Sequence, residues 1–266
     1  MFTTLTSLID RLDSSAVSGT AVIRWGSPVP SFGDLAGSEV ATLGLNPSNR
    51  EFVDERGDEL EGPSRRFHTL RSLGLETWSD ADATDLRLIL ESCRQYFLNN
   101  PYDRWFGKLS YVTAGTGASF YDSSRPACHL DLIPYATSCK WTDLAPAQRA
   151  KLLRVAGDAL ALLLRESPVR VIVLNGRSVV EHFQTIAGVS LERHSMASWA
   201  LPRQAVSDVA GIAYKGVVDT LSGIPLGREI LVLGYNHNLQ SSFGVTSAVV
   251  DSIRDWITLE SSKSLQ

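Results

Sequence analysis

Short apolar runs that break off in polar or turn residues recur four times along the chain. Val40-Ala41-Thr42-Leu43-Gly44-Leu45 ends in Asn46-Pro47-Ser48-Asn49, and Cys128-His129-Leu130-Asp131-Leu132-Ile133 stops at Pro134. Residues 169–174 stop at Asn175-Gly176, and residues 229–234 stop at Tyr235-Asn236-His237-Asn238. Runs of this length and composition suit strands buried on both faces. Around them the apolar period changes to that of a helix, first with Leu5, Leu8, Ile9 and Leu12 in residues 2–12. The same reasoning predicts a helix opened by Gly62-Pro63-Ser64 and running through Leu73, and others over residues 84–97, 146–165, 178–183 and 245–257. Strand and helix alternate, so the expectation is one α/β domain over residues 1–266, a three-layer α/β/α arrangement around a four-stranded, mainly parallel sheet. Residues 190–225 have no clear period and are expected to be an irregular insertion with room for a hairpin.

Composition narrows the function classes. With 44% hydrophobic residues in 266 there is ample material for one core, and the formal net charge of −4 argues against holding nucleic acid by bulk positive charge. Cys93, Cys128 and Cys139 include no CxxC pair, so neither a disulfide framework nor a thiolate metal site is expected. The first residues lack a basic stretch followed by a long apolar core, and no window is long and apolar enough to span a bilayer, so a cytoplasmic protein with no membrane partner is expected. Residues 51–61 carry six acids against one arginine, which reads as a solvated loop.

In an open parallel sheet, ligands bind beyond the carboxyl ends of the strands, where Asn46, Asp131, Asn175 and His237 should share one crevice. Asp131 interrupts an apolar strand, and a carboxylate there must be paired or functional because burying it alone is costly. Each residue also has a plainer reading: Asp131 bonded to loop amides, His237 a core histidine, Asn46 a turn former before Pro47.

Taken together, Gly44-Leu45-Asn46-Pro47-Ser48 and the loop from His237 through Asn238, Leu239, Gln240, Ser241 and Ser242 resemble the uracil-DNA glycosylase superfamily. There the first strand ends in a motif such as GQDPY, GINPG or GMNPG and the last in an HPSP-like loop, whose two prolines are absent here. The resemblance implies a superfamily-like fold over roughly residues 38–257 and a base-excising activity that uses no metal or organic cofactor. It implies that Asn46 holds the attacking water and His237 donates to the departing base. It also implies an aromatic platform for the extruded base, for which Phe52 and Phe67 are the candidates, with core packing as the alternative for both.

The base is read from Asp131 and Ser48. Asp131 stands where uracil-specific members usually have Asn, and an ionised carboxylate offers acceptors only, which suits an exocyclic amino group as in cytosine. Ser48 leaves space at C5 where strict uracil enzymes place Tyr. The resemblance thus points to double-stranded DNA carrying a 5-substituted cytosine, glucosylated hydroxymethylcytosine in phage DNA above all, with Asp54, Glu55, Asp58 and Glu59 near the sugar. The alternatives are a repair glycosylase for uracil or another deaminated base, and a module that binds DNA or a nucleotide without turnover. Arg50, Arg65 and Arg66 are candidate phosphate contacts, or else partners of the adjacent acids, and Leu239, Gln240, Ser241 and Tyr235 are candidates to contact or enter the base stack. No obligate protein partner is indicated.

Overall fold

The computed structural model describes residues 1–99, 103–202, 209–240 and 244–265. Among the described residues the chain runs α1 (Phe2–Asp13), β1 (Val40–Gly44), α2 (Leu70–Leu73), α3 (Ala83–Arg94), α4 (Asp103–Thr113), β2 (Ala127–Asp131), α5 (Pro146–Ala156), α6 (Ala159–Arg165), β3 (Val171–Asn175), α7 (Arg177–Ala187), β4 (Glu192–Ser195), β5 (Ile212–Leu221), β6 (Ile224–Tyr235) and α8 (Ser247–Ser261). Among the described residues no helix is long and apolar enough to cross a membrane.

The sheet has six strands in the order β2-β1-β3-β6-β5-β4. β2, β1, β3 and β6 pair in parallel, and these are the four apolar runs of the sequence. The expectation of a four-stranded sheet is corrected at one edge, where β5 pairs antiparallel with β6 and β4 with β5, making the whole sheet mixed. The described part of residues 190–225 supplies β4, β5 and the start of β6, so the hairpin for which the sequence left room is there while the expected irregularity gives way to sheet. The turn between β5 and β6 is Ser222-Gly223, both at positive φ, 51° and 74°, as a two-residue hairpin requires. β4 has all four residues exposed, so its polar sequence carries no apolar alternation from which a strand could be read.

Alternation along the parallel strands divides the core into two layers. Ala41, Leu43, Cys128, Leu130, Ile172, Leu174, Ile230 and Val232 pack with apolar residues of α1, α5, α6 and α7. Val40, Ala127, Val171, Val173, Leu231, Leu233 and Tyr235 pack with α4 and α8 on the opposite face. The period of two therefore places Thr42, Gly44, His129, Asp131 and Asn175 on the α4/α8 face.

Two predicted helices are broken. Pro63 opens only a single 3-10 turn, Gly62–Ser64, because Arg65 is extended at φ −63°, ψ 132°. That extension sends Phe67 into the aromatic core, and α2 begins only after Thr69, its N-cap, which forms a capping box with Ser72. Residues 146–165 form two helices, since Arg11 takes the Val155 carbonyl at 2.9 Å and clamps Asp158 at 2.7 and 2.8 Å. Gly157, a poor helix former, sits at that break.

Candidate active site

Two pairs of loops meet at the carboxyl ends of the parallel strands. After β1, the Asn46 amide donates from Nδ2 to Pro47 O and to Thr137 Oγ1, both at 2.9 Å. Ser48 bridges to Thr137, which in turn donates to Cys139 O at 2.7 Å, so the β1 and β2 loops are bonded to each other. Among the described residues nothing donates to Asn46 Oδ1. After β3 and β6, Asn175 donates from Nδ2 to Gln240 Oε1 at 2.8 Å and accepts from Leu239 N at 3.4 Å. Gly176 is at φ +98°, and a Cβ there would come within 3.1 Å of Asn238 Cβ, so glycine permits this close approach. Asn46 and His237 belong to loops two strand spacings apart, about 10 Å, because β3 lies between β1 and β6.

Asp131 is buried and pairs in register with Gly44. Its Oδ1 is 3.6 Å from His129 Nε2, and the His129 Nδ1 is 2.7 Å from Thr42 Oγ1. The His129 ring is enclosed by Phe32, Trp105 and Phe106, with centroids 5.3–5.5 Å away. Asp131 thus has a neighbouring imidazole, and among the described residues no loop amide donates to it.

Glu51 extends this polar core. It is 4% exposed, accepts from the Tyr96 hydroxyl on both oxygens at 3.2 Å, and lies 3.4 Å from Arg66 Nη1. Burial lifts its pKa to about 7, opposed by Arg66 and Tyr96 and reinforced by the charge of Asp131. The acidic run is accordingly not a solvated loop throughout. Asp54 Oδ1 caps the amides of Arg56 and Asp58 at 2.8 and 3.0 Å, and Glu59 takes the Thr69 hydroxyl. Glu55 and Asp58 are exposed.

His237 is buried, and its Nε2 lies 2.7 Å from the Trp199 carbonyl oxygen. A carbonyl only accepts, so Nε2 carries the proton and Nδ1 is the acceptor nitrogen. Burial lowers the His237 pKa, which favours the neutral ring.

The remaining predicted residues are spread more widely. Phe52 and Phe67 are each 1% exposed and belong to an aromatic cluster with Phe32 and Tyr96, Phe67 being stacked on Tyr96 at 5.4 Å. Ser48 is exposed and caps the 3-10 turn that follows it. Arg50 binds the Asp54 carbonyl and Arg66 the Arg50 carbonyl. Arg65 is half-buried, with a buried and unpartnered Nε. Leu239 is 1% exposed and its carbonyl accepts from Lys108 at 2.8 Å, while Gln240 donates to Trp105 O at 3.0 Å. Ser241 lies outside the described residues.

Glu51, Tyr96, His129, Thr137 and Trp105 were not singled out from the sequence. His129 had a signal, since it stands two residues before Asp131 and so shares its face. Trp105 had none, because α4 reaches the strand ends only through tertiary packing. Among the described residues no three His, Cys, Asp or Glu side chains are grouped to hold a metal ion. Comparison with known proteins finds no family model that matches the chain and no curated protein that matches it.

Proposed function

We propose that the chain is a monofunctional DNA glycosylase that extrudes a 5-substituted cytosine and hydrolyses its N-glycosidic bond, leaving an abasic site. The observation that carries this reading is the Asn46 amide: Nδ2 is committed to Pro47 O and Thr137 Oγ1, so Oδ1 is the atom available to hold a water. The water oxygen bonds to the sugar carbon as the C–N bond breaks. The bonding pair leaves with the base, which finally takes a proton. Positive charge grows on the sugar and negative charge on the base, and fixed dipoles aimed at those charges lower the barrier.

Asp131 supports the cytosine reading as an acceptor-only group beside Gly44. Trp105, half-buried with its ring 5.3 Å from His129, is better placed than Phe52 or Phe67 to receive an extruded base, since both phenylalanines are sealed in the core. Ser48 is exposed and small, and Glu55 and Asp58 are exposed in the next loop, which together suit a polar C5 substituent such as a glucosylated hydroxymethyl group. Excision of such a base from phage DNA would serve antiviral defence. Lys140, exposed after β2, supplies positive charge at the same end of the strands.

The His237 geometry favours one second reading, a module that binds a base without hydrolysing the bond. With Nε2 donated to Trp199 O, the ring gives the departing base no proton unless that bond opens. Abasic-site formation on DNA carrying uracil, 5-hydroxymethylcytosine or its glucosylated form separates the readings. Cleavage of the glucosylated DNA alone supports the proposal, cleavage of uracil DNA moves the protein to repair, and binding without cleavage supports the second reading.

A further inference from the structure

Arg65 presents an unusual donor. Among the described residues its Nε is buried and has no hydrogen-bond partner, although an unsatisfied buried guanidinium nitrogen is costly. Arg65 lines a cavity of about 450 Å³ between residues 60–68 and α3. Neither Asn46, Asp131 nor His237 contributes to it, so it is a different place from the strand-end crevice. The volume falls within the usual range for small-molecule sites, roughly 300–1,000 Å³.

The chemistry of the walls is asymmetric. Leu60, Pro63 and Leu88 form an apolar side, while Arg65, Arg66 and His68 gather cationic or protonatable groups. The cavity's carboxylate, Glu91, is already held by Arg94 Nε at 2.8 Å and by the Gln95 amide. Its charge is therefore neutralised by its own helix. A smaller cleft shares Arg65, and there Glu61 is paired with Arg71 at 2.8 Å while Glu59 takes the Thr69 hydroxyl. The acids around Arg65 thus have other partners.

His68 faces the same space. Ser72 Oγ donates to Thr69 O at 3.1 Å, so the 3.1 Å contact from His68 Nδ1 to Ser72 Oγ is donated by the ring, and Nε2 is the nitrogen left to take a proton. Burial and the charge of Arg65 both hold the His68 pKa down. An anion seated between the guanidinium of Arg65 and the ring of His68 would remove the repulsion that keeps the ring neutral.

We propose that this cavity binds a small phosphate ester of nucleotide size, its phosphate between Arg65 and His68 and its body against Leu60, Pro63 and Leu88. The site is independent of base excision. It is tested on the full chain by following the histidine ring protons by NMR during titration with adenosine 5′-monophosphate, with adenosine and with inorganic phosphate. The expected result is a saturable shift of the His68 resonance with adenosine 5′-monophosphate, a weaker one with inorganic phosphate and none with adenosine. Arg65→Met should weaken binding about tenfold or more, the usual worth of a charge-assisted contact. Leu88→Trp, on an exposed helix position, should block the cavity while leaving both cations in place. Equal shifts with adenosine, no shift with either phosphate, or undiminished binding by both folded variants would overturn the proposal.

Discussion

Asp131 lies directly against Gly44: a Cβ at position 44 would stand 2.4 Å from Asp131 Oδ1 and 2.9 Å from His129 Nε2. The last residue of β1 is glycine because the neighbouring strand delivers a carboxylate and an imidazole to the same spot. Two residues later Asn46 leaves the strand.

Gly44→Ala is therefore expected to be destabilising although its backbone conformation is open to any residue. Neither neighbour is a flexible surface group, and forcing extra atoms into a packed core usually costs about 1–3 kcal/mol. A urea melt should move to a lower midpoint with an unchanged slope. An unchanged midpoint would mean that Asp131 is not held where it is described.

Glu51 should make the protein less stable as the pH rises from mildly acidic to neutral. Its pKa rises from 4.5 to about 7 on folding, so between those values the folded chain binds more protons than the unfolded one. Stability then falls as pH rises from about 4.5 through 7, by about 3 kcal/mol in all, and is flat above. Glu51→Gln, which still accepts from Tyr96, should remove this slope and be the more stable protein at pH 8. Urea midpoints of both proteins between pH 5 and 8 check it.

Trp105→Ala should lower affinity for DNA carrying the target base by about 1–3 kcal/mol, the usual worth of one base–aromatic stack, with little loss of fold. Phe67→Leu should show the reverse, a lower melting temperature with base affinity kept among the molecules that remain folded. Fluorescence anisotropy with a labelled duplex, run beside thermal melts, separates the two.

The pattern of legibility follows from burial. The four parallel strands were readable because each is an apolar run cut off by a turn, and alternation within them already put His129 beside Asp131. β4 and β5 were not, since β4 is wholly exposed and β5 is an edge-side strand with mixed burial. The helix expected after Pro63 failed because the aromatic cluster takes Phe67, a tertiary demand that local spacing does not carry. In sequence Glu51 is one acid among its acidic neighbours, and only the fold separates it from them by placing Tyr96 and Arg66 around it.

Thr137→Val tests the positioning of the Asn46 amide that the proposal assigns to the water. The hydroxyl holds Asn46 at 2.9 Å, and without it the amide keeps only its bond to the Pro47 carbonyl within the same loop. The expected outcome is a fall in single-turnover cleavage of about tenfold or more with DNA affinity unchanged, as for a group that orients rather than binds. Equal loss of affinity and rate would place Thr137 in DNA binding instead.

The central claim is that Asn46 directs water at the bond between sugar and base. The most direct measurement is abasic-site formation on glucosylated hydroxymethylcytosine DNA by the unaltered chain and by Asn46→Ala, with uracil DNA as the control. The account predicts abasic sites in the glucosylated DNA with the unaltered chain, none above background with Asn46→Ala, and little or no reaction with uracil. Undiminished cleavage by Asn46→Ala, or no abasic sites in any DNA, would contradict it.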